Sequence, residues 1–125
     1  YDGSLFGAVG TGKPEHLIVY GLRGHIFRST DFGETWAEIQ VRTENGTLQF
    51  GLADASLLAN GDVLIVGHGG SVLRSSDNGE SFTVFNRADR TSLAGVTSGA
   101  GQGLILVGQN GIHKTDANGN DLLDK

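Results

Sequence analysis

Cysteine is absent from the 125-residue chain. That excludes disulfides, thiolate metal sites and a cysteine nucleophile, and it leaves the compartment open. Proline occurs once, at Pro14, which argues against a Pro/Gly-rich linker. No apolar run approaches the roughly 20 residues that a membrane helix requires, so membrane insertion is not expected. No stretch repeats apolar residues at i, i+3 and i+4 over a dozen residues, so amphipathic helices are not expected either. Lysine and arginine form no stripe that could track phosphates, and nucleic acid is not an expected partner. Fourteen acidic against nine basic residues leave a net charge of −5, which suits a protein partner with basic features. No signal-peptide pattern is in view, and the sequence opens mid-pattern at Tyr1, which leaves room for one upstream.

Glycine is abundant: 21 residues, against an average usage of roughly 7%. The apolar residues come in short runs, such as Leu17-Ile18-Val19-Tyr20, Val63-Leu64-Ile65-Val66 and Leu104-Ile105-Leu106-Val107. Each is closely bracketed by glycine or charged turn residues, the pattern of a buried strand. The fold class is all-β.

The runs belong to an internal repeat. A shift of 46 residues places Leu17 on Val63, Gly21 on Gly67, Gly24 on Gly70, Ile26 on Val72 and Arg28 on Arg74. It continues with Ser29 on Ser75, Asp31 on Asp77, Gly33 on Gly79 and Trp36 on Phe82. A third copy follows at a shorter offset of about 41, through Gly108, Gly111, Ile112 and Lys114 to a worn turn at Gly119. This period is that of a four-stranded propeller blade. The chain therefore reads as a β-propeller fragment of about three four-stranded blades, the last incomplete. Blade one covers about residues 4–42, blade two about 47–87 and blade three about 91–119, with a polar tail over 120–125.

Within blade one the strands are expected at Leu5 to Val9, Leu17 to Tyr20, His25 to Ser29 and Thr35 to Gln40. Blade two repeats this with Thr47 to Leu52, or alternatively Ala55 to Leu58, then Asp62 to Val66, Ser71 to Ser75 and Ser81 to Phe85. Blade three offers Leu93 to Thr97, Gly103 to Val107 and Ile112 to Thr115, with no clear outer strand.

The segments Ser29-Thr30-Asp31-Phe32-Gly33-Glu34-Thr35-Trp36 and Ser75-Ser76-Asp77-Asn78-Gly79-Glu80-Ser81-Phe82 share the pattern S-x-D-x-G-x-x-W, with Phe82 in place of the tryptophan. The residue types suit a hairpin between third and outer strands. Asp31 and Asp77 can accept backbone N–H bonds across the turn. Gly33 and Gly79 can take a positive φ, and Trp36 and Phe82 can cover the turn with an apolar face. This octapeptide is the Asp-box, or BNR motif. With the preceding G-x-x-G, the extended pattern resembles the repeat of the photosystem II stability/assembly factor-like family, which includes bacterial propellers found alongside RND-type efflux transporters. Sialidases, xyloglucanase-type glycosidases and sortilin-type receptors carry the same box. The resemblance runs from about Leu5 to Gly119. It implies a propeller, and it implies that the boxes lie on the rim away from the ligand-binding face. They are structural turns, with no catalytic, cofactor or metal residue carried over.

Enzymatic readings find little support in the residues. A sialidase needs three gathered arginines and a tyrosine–glutamate pair. Of the arginines here, Arg28 and Arg74 belong to the repeat, and the tyrosines are Tyr1 and Tyr20 alone. A glycosidase needs two carboxylates about 5–10 Å apart, and no spacing singles out Asp54, Asp62 or Asp89. His16, His25, His68 and His113 fall at different repeat positions, so no metal is expected. Asp116 to Asp121 begins like a calcium loop, but its sixth position is Asp121 and not glycine; it reads as a decayed repeat turn. Asn45-Gly46-Thr47 fits a glycosylation sequon and, more simply, an Asn-Gly hairpin.

Three blades would leave two apolar blade faces bare. Two expectations follow: a longer propeller of which this is the C-terminal portion, or two copies that associate and complete a ring. The preferred function is a non-enzymatic protein-interaction or assembly scaffold in the periplasm or cell envelope. The alternative is a glycoside hydrolase of sialidase or xyloglucanase type with its catalytic residues outside this segment, and glycan binding through exposed aromatics ranks last.

Overall fold

A computed structural model describes residues 3–43, 46–87, 89–98, 103–109, 111–116 and 119–122. Strands β1 (Leu5–Gly10), β2 (Leu17–Gly21), β3 (Ile26–Ser29) and β4 (Ala37–Ile39) form a first antiparallel sheet in that order. After a small hairpin of β5 (Arg42–Thr43) and β6 (Gly46–Thr47) comes a second sheet. It consists of β7 (Leu52–Leu57), β8 (Val63–Gly67), β9 (Ser71–Ser75) and β10 (Thr83–Asn86). A third sheet holds β11 (Leu93–Ser98), β12 (Leu104–Gly108) and β13 (Gly111–Thr115). Among the described residues, the place of its outer strand is marked by a single bridge between Thr115 and Asp121.

The inner strand of the second sheet is where the sequence left two alternatives. Neither matches: β7 spans Leu52–Leu57, and the stretch before it is taken by the β5–β6 hairpin. The outer strand of the first sheet is shorter than expected, Ala37–Ile39, because the box turn holds Thr35 and Trp36. The sequon falls on Asn45, which lies outside the described residues, as do Ala117 and Asn118 of the worn turn.

Alternation along each strand sends side chains to two sheet faces, and the sheets stack through them. One core lies between the first and second sheets, where Ile18, Tyr20 and Ile26 meet Val63, Ile65 and Leu73. The other lies between the second and third, joining Leu64, Val66 and Val72 to Leu93, Leu104 and Leu106. Burying each such aliphatic side chain stabilises the fold by about 1.5–3 kcal/mol. Strand β8 is buried throughout because it serves both cores, which explains its unbroken apolar run.

Three features recur in every sheet. After Leu5, Leu52 and Leu93 the inner strand slips register by one residue, a bulge that re-aims Phe6, Ala53 and Ala94. The second strand ends at Gly21, Gly67 or Gly108, where a Cβ would sit 2.1–2.2 Å from the carbonyl oxygen of Ser4, Gly51 or Ser92. Those carbonyls instead accept the N–H of Leu22, His68 and Gln109 at 2.9–3.0 Å. The repeated glycine is thus a place of close backbone approach, since its own backbone is extended at Gly21 and Gly67.

Candidate functional site

In the first box turn the Ser29 hydroxyl donates to Asp31 Oδ1 at 2.8 Å and accepts the Gly33 N–H at 2.8 Å. Asp31 Oδ1 accepts the Thr35 N–H at 2.9 Å, and its other oxygen accepts a hydrogen bond from the Thr35 hydroxyl. The second turn repeats this with Ser75, Asp77, Gly79 and Ser81 at nearly the same distances. Gly33 and Gly79 have φ of 91° and 87°, each preceded by a non-glycine residue with positive φ, Phe32 or Asn78. Trp36 lies over its turn and donates Nε1–H to the Gly33 carbonyl at 3.0 Å. Phe82 packs against the first core. The hydroxyls of Thr35 and Ser81 are turn residues whose role the sequence pattern left blank. Each carboxylate oxygen of Asp31 and Asp77 accepts at least one hydrogen bond from its own turn.

The sequence pattern suggests loops for Asp54, Asp62 and Asp89; Asp54 instead lies within a strand, and all three are engaged, each in a different place. Asp54, on β7, accepts the Val96 N–H of the third sheet at 2.9 Å. Asp62 pairs with Arg74 at 2.6 Å. Asp89 pairs with Arg87 at 2.9 Å and caps the Thr91 N–H. Asp89 is held down to about 2, first by the Arg87 guanidinium and then by Thr91. The buried phenol of Tyr20 is raised, by burial first and then by the Asp54 charge. His25 bonds Glu38, His68 lies 3.3 Å from the Ser92 hydroxyl, and His16 and His113 face Arg28 and Arg87. Among the described residues no three His, Asp or Glu side chains gather as a metal-binding group.

Arg87 is a residue the repeat pattern passed over. It is 4% exposed, donates to the Gly119 carbonyl at 2.7 Å, and binds Asp121 through both terminal nitrogens. The worn third turn has no box aspartate, so this clamp fastens it to the second sheet from outside. Asp116 accepts the Asn120 N–H at 3.0 Å within the same turn.

Antiparallel connectivity puts the box hairpins at one end of the sheets. The loops between second and third strands, and between sheets, lie at the other end. At that far end several large apolar side chains stand exposed: Leu5 (45%), Phe6 (51%), Leu22 (43%) and Phe50 (43%). They are neighbours. Leu22 N–H bonds the Ser4 carbonyl, and a Cβ at Gly51 would lie 3.9 Å from the Phe6 ring and 3.1 Å from His68. Phe50 lies against Gly69 in the next loop. Exposed Arg23 and Arg90 flank the group, with Arg90 next to Gly70. The Phe6 bulge and the three carbonyl-to-loop bonds fix the backbone beneath it, so the patch rests on a rigid frame.

No known family profile matches the chain, and no curated protein matches it. Among solved structures it is similar to YCF48 bound to a D1 peptide, at 17% identity and a TM-score of 0.71, over 96% of this chain and 43% of that one. It is also similar to YCF48 from Cyanidioschyzon merolae, at 24% identity and a TM-score of 0.69, over 92% of this chain and 34% of that one. An ancestral GH74 enzyme matches at 16% identity and a TM-score of 0.68, over 93% of this chain and 17% of its own length. YCF48 is a photosystem II assembly factor, and both it and the GH74 enzyme are propellers. The chain thus has the fold of a partial β-propeller and is similar to assembly-factor-like propellers. It spans less than half the length of each of these three chains.

Proposed function

We propose that this chain is part of a non-enzymatic protein-interaction scaffold, and that its contact surface is the apolar patch around Phe6 and Phe50. The observation that carries this reading is the clustering of exposed Leu5, Phe6, Leu22 and Phe50 at the end opposite the box hairpins. Exposed aromatic anchors on a rigid frame are the usual energetic centre of a protein interface. Two exposed arginines, Arg23 and Arg90, flank them, although the chain as a whole is acidic. The surface therefore suits an extended peptide segment with apolar side chains and a carboxylate. The solved likeness of a D1 peptide bound to YCF48 supports a peptide ligand. Location in the periplasm or cell envelope belongs to the same reading and is tested by cell fractionation.

Panning a peptide library on the chain is expected to return apolar–acidic sequences. Exchanging both rings, Phe6→Ser with Phe50→Ser, is expected to weaken their binding by at least about tenfold. Melting should fall only modestly, because about half of each ring is already exposed. Equal binding by the double variant would end this reading. The glycoside hydrolase alternative draws on the likeness to the GH74 enzyme. Release of reducing sugar from xyloglucan by the full-length protein carrying this segment would favour it instead.

A further inference from the structure

The strand registers set three equivalent pairs on the inner strands: Gly7 opposite Tyr20, Asp54 opposite Val66, and Gly95 opposite Val107. In the third sheet the pair is a glycine and a valine, so the sheet forms there with no polar side chain. The first sheet departs from this by a phenol, at Tyr20, and the second by a carboxylate, at Asp54. Both departures lie beside β7: Tyr20 packs in the core between the first and second sheets, and Asp54 reaches toward the third.

The Tyr20 ring crosses β1 toward the inner edge of its sheet. A Cβ at Gly7 would lie 2.2 Å from the hydroxyl, so the glycine makes room for it. Tyr20 is 3% exposed, and among the described residues its hydroxyl has no hydrogen-bond partner. A buried phenol usually finds one, because an unmade bond leaves its desolvation uncompensated. Asp54 holds the corresponding place one sheet on and is half-buried. Its Oδ2 accepts the Val96 N–H at 2.9 Å and would lie 3.6 Å from a Cβ at Gly95. Among the described residues Oδ1 has no partner, and no lysine, arginine or histidine pairs with this carboxylate. The Asp54 charge reaches the phenol: after burial, the larger cause, it raises Tyr20 above the usual phenol range, and the hydroxyl stays neutral.

We propose that Tyr20 and Asp54 form a binding site for a primary alkylammonium group, which donates hydrogen bonds to the phenol oxygen and to Asp54 Oδ1. Two single acceptors on neighbouring sheets suit a compact ammonium with three donors. The planar fork of a guanidinium wants both oxygens of one carboxylate, and here one oxygen is already given to Val96. A lysine side chain of a bound peptide is one source of the group, since Gly7 directly follows Phe6 of the exposed patch in β1. A free diamine is the other. The lysine source rests on the peptide reading above; the site itself does not.

The test is a titration of the isotope-labelled full-length protein carrying this segment with Nα-acetyl-lysine methylamide. It is followed at the Val96 amide, whose N–H is bonded to Asp54. Saturable binding is expected, with a Kd on the order of 1 mM. Trimethylation of the amine keeps its charge but removes its donors, and should weaken binding at least about tenfold. Tyr20→Phe and Asp54→Asn should each weaken it by a similar factor. Tyr20→Phe deletes a hydroxyl that bonds nothing, and asparagine keeps an acceptor for Val96, so both variants should retain the parent's circular dichroism. If Asp54→Asn fails to fold, Tyr20→Phe and the trimethylated amine still decide. Tighter binding of a free diaminoalkane marks that source, and tighter binding of a lysine-bearing apolar peptide marks the side chain. An unmoved Val96 amide overturns the proposal, as does equal binding of the trimethylated amine or by Tyr20→Phe. Peptides without lysine read the apolar patch separately, so either reading can fail without the other.

Discussion

Asp31 and Asp77 keep their protons off because their turns are built from donors. The carboxyl of Asp31 is held down to about 2, chiefly by the Thr35 hydroxyl, then by the Thr35 N–H and the Ser29 hydroxyl. Asp77 lies at about 2 as well, with the Ser81 hydroxyl as the main cause, partly opposed by burial and helped by Ser75. A folded-state value below the unfolded one favours folding wherever the unfolded carboxyl is ionised. Both turns therefore contribute in full above about pH 4 and lose their contribution as pH falls toward about 2. Asp77→Asn should lower the melting temperature at neutral pH and flatten its fall across that window. Melts of the parent and the variant at closely spaced pH values check this. An unchanged acid profile would mean that the turn bonds do not govern acid stability.

One side chain, Arg87, clamps the turn behind strand β13. Arg87 ties Gly119, Asp121 and Asp89 to the second sheet, and its charged form is favoured, by Asp121 first, against the cost of its own burial. Removing one partner of a buried pair is costly because the other charge is left unpaired. Here Asp121 is 58% exposed and can rehydrate, so Arg87→Ala should cost about 2 kcal/mol rather than more. The loss should be local: faster amide exchange in β11 to β13 with β1 to β3 unaffected. Arg87 was not legible in the repeat because the 46-residue shift places it on Val41, an apolar position. The box residues were legible because a turn is specified within eight residues, where side chain and backbone partner are sequence neighbours.

For the whole molecule the second sheet is the common element of both cores. Leu64 and Ile65 are adjacent on β8, are fully buried, and face opposite seams. Leu64→Ala and Ile65→Ala should each lower stability by about 2–5 kcal/mol. Because the second sheet cannot unfold without opening both seams, each variant should show one transition. Denaturant curves followed by Trp36 fluorescence and by circular dichroism should then coincide, and separate transitions would show that the seams unfold independently. The sequence by itself determined the repeat, the strand class, and the box turns, because these rest on alternation, glycine and short-range hydrogen bonds. Only the tertiary structure decided where β7 begins, that Arg87 replaces the worn third box, and that Phe6 and Phe50 share a surface. Those depend on register slips and on contacts between residues tens of positions apart, which a one-dimensional period does not encode.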